Sequence, residues 1–285
     1  MNQFLMTVKE VLEAAADLAS RSAAEATAWD ARLLLTHAVG GRNPLHLDFG
    51  RQVEPEAGAR FEALWRQRLT GVPVQHLLGE WDFYGRAFFV DRRALAPRPE
   101  TEVLLTAALR EGPSARRVLD AGTGSGVLAI TFLLERPASY AIALDASPEA
   151  LALARKNALR HGLGGRLALL AADWAGCLGR VQFDLAISNP PYLSLSEASS
   201  LPATVREHDP ARALFAGEDA LSQIRRLLDE LPRVLTPGAP FLFEIGFGQA
   251  EAAETEIRSR PAWRFERIEP DLAGIPRVAI ARKNL

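Results

Sequence analysis

An α/β fold on a mostly parallel sheet, preceded by a small helical bundle, is the architecture this sequence predicts. Three observations predict it. Strand-like and helix-like segments alternate from Arg117 onward, the pattern of a sheet covered on both faces. A glycine-rich stretch, "RVLDAGTGSGVLAI", runs out of the first of those strands into a helix. The segment before Val72 carries helical periodicity instead.

Taken in order, the helical segment has three parts. In "VKEVLEAAADLA" the apolar Val8, Val11, Leu12, Ala15 and Leu18 recur at helical spacing. "SAAEATAWDARLLLTHAVGG" opens with Ser22 and Glu25 at capping-box spacing and stops at Gly40-Gly41. A third helix is expected from Pro55, suited to a first helical position, to Leu69, with Phe61, Leu64, Trp65 and Leu69 on one face. From Val72 to Val90, "PVQHLLGEWDFYGRAFFV" is rich in aromatic and apolar residues punctuated by Gly79 and Gly85, which predicts a β-hairpin linker. The prolines of "APRPETE" then stiffen the chain before a helix starting near Glu100. Seven strands are expected: Arg117–Ala121, Ala141–Asp145, Leu167–Ala171, Phe183–Ser188, Pro240–Ile245, Phe265–Glu269 and Arg277–Ala281, the last two as an antiparallel edge hairpin. The expected domains are therefore a helical domain over 1–71, a hairpin linker over 72–95 and the α/β domain over 96–285.

Composition narrows the function classes. A chain of 285 residues, 48% hydrophobic, can bury a sizeable core. A net charge of −2 and a pI near 6.3 supply no bulk attraction to nucleic acid, and no direct nucleic-acid binding is expected. Cys177 is a single cysteine, which suits a reducing cytoplasm, and the scattered histidines show no metal-ligand spacing, so no metal is expected. Lys9, Glu10 and Glu13 interrupt the apolar N-terminal stretch, unlike a signal peptide, and no run approaches the ~18 apolar residues of a membrane span. A cytoplasmic monomer is the resulting expectation.

The glycine stretch describes a Rossmann-like nucleotide site. Gly122, Gly124 and Gly126 allow a sharp turn and close approach of a ligand, with Thr123 and Ser125 between them, and the following helix offers free N–H groups. Asp145 ends the next strand, where a carboxylate can accept from both ribose hydroxyls. The loop alone does not choose a cofactor, since Gly124-x-Gly126-x-x-Ala129 also fits the dinucleotide pattern. Asp120 before the loop completes D-x-G-x-G-x-G, the form found in S-adenosylmethionine enzymes. Asp173 and Trp174, ending the third strand, are placed to accept from the adenine amino group and to stack on or cap the base. Ordinary core packing is the competing reading of Trp174.

"SNPPY", at the end of the fourth strand, carries the chemistry. A planar amide or exocyclic amine has its nitrogen lone pair tied up in conjugation. Two acceptors for its two N–H bonds favour pyramidalisation and the positive charge that grows during methylation. The Asn189 side-chain oxygen and the Pro190 carbonyl are such a pair. Pro190 and Pro191 restrict the residues before them and remove competing donors. Tyr192 can lay its ring on the substrate group. Adenine N6, guanine N2 and glutamine N5 all fit this clamp. A non-catalytic binding protein of the same fold would tolerate losing Asn189, Asp145 or the glycines, yet all are present. An NAD oxidoreductase leaves the motif unexplained.

The chain resembles the HemK-type release-factor glutamine N5-methyltransferases in "PVQHLLGEWDFYGRAFFV…RPETE", "VLDAGTGSG", "ALDASPEALALARKNA", "ADW", "FDLAISNPPYL", "DPARALFAGEDAL" and "DLAGIPRVAIAR". The resemblance implies a seven-stranded class I methyltransferase domain that uses S-adenosylmethionine, yields S-adenosylhomocysteine, and methylates the glutamine of the Gly-Gly-Gln motif of peptide chain release factors. It implies donor contacts at Gly122–Gly126, Asp145, Trp174 and Asn189, a glutamine site at Asn189–Tyr192, and release-factor contacts from the helical domain and hairpin. Phe88 or Phe83 is expected near the glutamine pocket, and Arg98, Glu100 and Thr101 over the cofactor. His76, Ala96 and Asp209 depart from the family's usual residues, and Asp209 reads as structural. A ribosomal-protein glutamine methyltransferase, or an adenine-N6 or guanine-N2 nucleic-acid enzyme, is the alternative.

Overall fold

The structure, a computed structural model, describes residues 6–22, 25–179 and 181–285. The first five residues, Ala23, Ala24 and Arg180 therefore lie outside it. The chain divides into two compact units, Met1–Glu80 with Ser200–Asp209, and Trp81–Ser199 with Pro210–Leu285. The expected boundary after residue 71 thus falls inside the first unit, and the expected linker is divided, residues 72–80 going with the first unit and 81–95 with the second.

The first unit contains α1 (Val8–Ser20), α2 (Ala28–Ala38), α3 (Pro55–Leu69) and α4 (Val74–Leu78). Thr7 and Glu10 cap α1 reciprocally. Helix α2 is capped by Thr27 and Asp30, not by Ser22 and Glu25. The reason is tertiary: the Asp30 carboxylate also accepts from Arg68 Nε at 3.0 Å, both side chains buried, which ties the start of α2 to α3. Phe61 and Trp65 stack at 6.1 Å on the buried face of α3. Val74–Leu78 is a helical turn rather than the start of a hairpin, because Gly79 closes it in the left-handed region at φ 70° and donates to the Gln75 carbonyl.

The hairpin proper is β1 (Glu80–Phe83) and β2 (Arg86–Phe89), joined through Tyr84 and Gly85 at φ 51° and 70°. Two positive φ values in a two-residue loop match the right-handed strand twist. Beyond it come α5 (Pro99–Glu111), β3 (Arg117–Ala121), α6 (Val127–Glu135), β4 (Tyr140–Asp145), α7 (Pro148–Arg160), β5 (Leu167–Ala171) and β6 (Leu185–Ser188). After short elements β7 (Leu193–Ser194), α8 (Ala203–His208), α9 (Ala211–Leu214) and β8 (Phe215–Gly217) follow α10 (Ser222–Glu230), β9 (Pro240–Glu244), α11 (Ala250–Arg258), β10 (Trp263–Pro270) and β11 (Pro276–Lys283). All seven expected strands form. The fourth begins at Leu185, because Asp184 turns its carboxylate back onto the Arg116 and Arg117 amides, and Phe183 makes only an isolated bridge to Leu235.

The seven-stranded sheet has the order β10-β11-β9-β6-β3-β4-β5, parallel except at β11 and β10. Neighbouring residues face opposite layers: Val118, Ile187, Leu242 and Ile280 join the core under α5 and α6, while Leu119, Ala186, Phe241 and Ala279 join the core under α10 and α11. From β3 the chain proceeds first through β4 and β5 on one side, then through β6 and β9 on the other. That reversal opens a crevice above the carboxyl ends of β3 and β6.

Removing one partner of a buried ion pair strands the other charge. Arg68→Met is expected to lower the stability of the helical unit by about 3 kcal/mol. Urea unfolding followed by tryptophan fluorescence would measure it, and an unchanged midpoint would show that the pair does not tie α2 to α3.

Candidate active site

A cavity of about 720 Å³ occupies this crevice. The glycine loop forms its floor. Gly122, Gly124 and Gly126 all have positive φ, at 78°, 56° and 86°, so each is in a conformation that a side chain would strain. A Cβ on Gly126 would lie 2.9 Å from Ile130 Cδ1 and 3.1 Å from Ala154 Cβ, whereas one on Gly124 would meet only Ala94 at 3.8 Å. Gly126 is therefore needed for helix packing, and Gly124 for conformation at the cavity surface.

Buried polar groups hold the loop. Asp120 Oδ2 accepts from Thr123 Oγ1 at 2.7 Å and from the Ala129 amide at 3.2 Å, and burial pushes its pKa up to about 7. The fully buried Asn157 donates to the Ser125 carbonyl at 2.9 Å and exchanges bonds with both backbone groups of Phe89. The loop is thereby fastened to α7 and the hairpin at once. Asp145 accepts from the Gly124 amide at 2.8 Å and the Ser147 amide at 2.9 Å. Burial raises its pKa, against these two hydrogen bonds and the positive charge of Arg212. Each carboxylate oxygen retains acceptor capacity for a diol.

Of the residues singled out in the sequence, Gly122, Thr123, Gly124, Ser125, Asp145, Asp173, Trp174, Asn189 and Pro191 line the cavity. Gly126 lies behind it as the N-cap of α6. Arg98 and Thr101 also line it, whereas Glu100 does not. Trp174 is packed: its ring lies beneath Gly122, 3.2 Å from where a Cβ would sit, and its Nε1 donates to Gln223. Asp173 is exposed and already accepts from Arg226 Nη2 at 3.0 Å. Arg226 and Gln223, from α10, were not visible as site residues because only the tertiary fold brings that helix to the rim.

One expectation fails on packing. Phe88 has no exposed surface; it packs edge-on to the equally buried Phe83 and against His161, inside the main core. Neither phenylalanine can touch a substrate from there. Asp209 is buried and belongs to the first unit.

At the end of β6, Asn189 Nδ2 donates to Thr101 Oγ1 at 3.2 Å. Thr101 Oγ1 donates to Glu244 Oε2 at 2.8 Å, and the Tyr192 hydroxyl to Glu244 Oε1 at 3.3 Å. Gln249 donates to the Tyr192 carbonyl at 2.7 Å. Pro190 is buried and Tyr192 half-buried, and neither lines the cavity itself. Tyr192 is therefore anchored through its phenol, whose pKa is raised by burial and by the Glu244 charge. Glu244 escaped the sequence reading, although a lone acid closing the apolar run "PFLFE" was a usable signal.

The family profile described as a PrmC N-terminal domain matches residues 10–79, and that described as a methyltransferase small domain matches residues 99–206. The release factor glutamine methyltransferase of Cereibacter sphaeroides is 41% identical over 280 residues, covering 97% of this chain and 99% of its own. That of Deinococcus radiodurans is 40% identical over 281 residues, covering 98% and 99%. The chain belongs to the release factor glutamine methyltransferase family. Among solved structures, the hMettl16 catalytic domain in complex with MAT2A 3'UTR hairpin 6 aligns with a TM-score of 0.56 at 15% identity, over 81% of this chain and 84% of that one. The Lactobacillus delbrueckii ribosomal protein L11 methylase aligns at 0.50 and 18%, over 67% and 82%. At those identities the likeness of this glutamine methyltransferase family member to them is one of fold. Among the described residues, no helix is long and apolar enough to cross a membrane, and no group of three His, Cys, Asp or Glu side chains could hold a metal ion.

Gly126→Ala is expected to destabilise the larger unit by about 1–3 kcal/mol through strain and overlap, and Gly124→Ala by about 1 kcal/mol through strain alone. Thermal unfolding of the two variants side by side would test the division. Equal losses would mean that the Ile130 and Ala154 contacts can relax.

Proposed function

We propose that this chain transfers a methyl group from S-adenosylmethionine to the side-chain N5 of a glutamine, that of the Gly-Gly-Gln motif of peptide chain release factors. The observation that carries the proposal is that Asn189 and Pro191 line the same cavity as the glycine loop and Asp145. The full-length likeness to relatives named release factor glutamine methyltransferase supports the choice of acceptor.

The residues present suit the donor. Gly122 and Gly124, both left-handed and on the cavity wall, let a ligand approach the backbone closely, Asp145 suits a ribose diol, and Trp174 with the rim of α10 suits an adenine. When bound, S-adenosylmethionine supplies an electrophilic methyl carbon on a sulfonium, which an amide nitrogen attacks in line.

What the protein contributes is the state of that nitrogen. Asn189 Oδ1 and the Pro190 carbonyl accept its two N–H bonds, drawing it out of conjugation and stabilising the charge it acquires. The N–C bond forms as the C–S bond breaks, and the surplus proton leaves the nitrogen afterwards. A strong base is unnecessary, because the methylated amide nitrogen in its cationic form is far more acidic than water. Tyr192, with its hydroxyl held by Glu244, and Pro191 stiffen the clamp's outer end.

Asn189→Ala is expected to reduce turnover by on the order of 10²-fold, with donor affinity less affected. The assay supplies labelled donor with release factor, ribosomal proteins and RNA in parallel, and maps the product by peptide mass spectrometry. Label on the Gly-Gly-Gln glutamine supports the proposal. Label on a ribosomal protein or on RNA would keep the clamp and replace the substrate, and an unaltered rate in the variant would remove the clamp.

A further inference from the structure

Resting on the reading that the clamp takes a glutamine amide, we propose that Glu244 is a positioning residue that decides which end of the Asn189 amide serves as acceptor. Its carboxylate accepts the Thr101 hydroxyl proton, so the Thr101 oxygen must in turn accept from Asn189. That interaction holds Asn189 Nδ2 and leaves Oδ1 for the substrate.

The geometry for this relay is complete. Glu244 closes β9, Thr101 stands in the first turn of α5 and Asn189 follows β6, and the three are joined by bonds of 2.8 Å and 3.2 Å. Glu244 is 1% exposed and Thr101 3% exposed, so water does not compete for these groups. An ionised carboxylate has no donor. Thr101 and Tyr192 must then both donate to it, and the direction of every bond follows. A neutral Glu244 reverses the logic. Its own hydroxyl can donate to Thr101, freeing the Thr101 proton to point at Asn189 and turning the amide over. An N–H₂ group would then confront the N–H bonds of the substrate amide, two sets of donors facing each other.

The groups facing Glu244 are known from every side. Thr101 and Glu100 come from α5, Tyr192 from the segment after β6, and Arg277 from β11. Burial raises the Glu244 pKa most. Hydrogen bonds from Thr101 and Tyr192 pull it back, Glu100 raises it and Arg277 lowers it, with the outcome at about 7. The clamp is therefore set correctly above that pH and loses its setting as pH falls through it. A buried acid that only filled space would have no reason to sit between the hydroxyls of Thr101 and Tyr192.

The test is the pH dependence of methyl transfer to a Gly-Gly-Gln peptide or release factor by the parent chain, Glu244→Gln, Thr101→Val and Thr101→Ser, with donor affinity measured by calorimetry. For the parent, kcat should fall on the acid side with a midpoint near 7. Glu244→Gln should lose on the order of tenfold in kcat at pH 8, more than any change in KM, and should lack the acid limb. Thr101→Val should show a similar fall, and Thr101→Ser, which keeps the hydroxyl, should recover the rate. Donor affinity near the parent's in Glu244→Gln, whose substituted side chain lies outside the cavity lining, would show the site folded. The inference is overturned if Glu244→Gln matches the parent at all pH values. It is also overturned if the acid limb persists in that variant, which would move the limb to another buried acid such as Asp120 or Asp145, both of whose pKa values burial raises. A Thr101→Val variant at full rate would break the relay even if Glu244→Gln failed to fold. A parent chain that labels no glutamine would instead bring down the functional reading itself, a result distinct from all of these.

Discussion

Parallel pairing of β3 with both β4 and β6 is the constraint on which the site depends. Because the chain leaves β3 in one direction across the sheet and returns on the other side, the connections after β3 and β6 cannot cover the same ground. The carboxyl ends of those two strands are left open between them. The glycine loop follows β3, Asp145 closes β4, and Asn189 follows β6. The glycine loop, Asp145 and Asn189 thus come to lie on one cavity.

The open crevice needs rigid walls, and buried polar groups supply them. Asp120 bonds the loop at Thr123 and the first turn of α6 at Ala129. Asn157 does the same for Ser125 and the hairpin. On the acceptor side, Glu244 and Gln249 bracket Tyr192, one at its hydroxyl and the other at its carbonyl. Such groups are costly to bury unpaired and directional when paired. They therefore hold geometry better than apolar packing of the same size would. Methyl transfer to an amide demands alignment of acceptors rather than a strong base, and this arrangement suits that demand.

Membership of the release factor glutamine methyltransferase family agrees with this division of labour between the two ends of the cavity. The Asp145 end resembles many nucleotide sites and says little about chemistry. In the proposed reading, the Asn189 end is where the acceptor is held. Several planar nitrogens fit the tetrapeptide, and the choice of glutamine among them rests on membership of the family rather than on the fold.

The sequence by itself determined whatever depends on local backbone chemistry: the seven strands from their apolar runs, the left-handed turns at Gly122, Gly124 and Gly126, and the stiff Asn189–Tyr192 segment. Glycine and proline act on their own and neighbouring dihedral angles, so their effect is visible without a fold. Only the tertiary structure decided who pairs with whom. Thr27 caps α2 because Arg68 anchors Asp30, Asp173 meets Arg226, and Phe88 disappears into the core. Thr101 and Glu244 are separated by 143 residues, yet they share a hydrogen bond. A pairing across such a distance leaves no local pattern, and hydrogen bonding over a few ångströms is decided by the packing of the sheet.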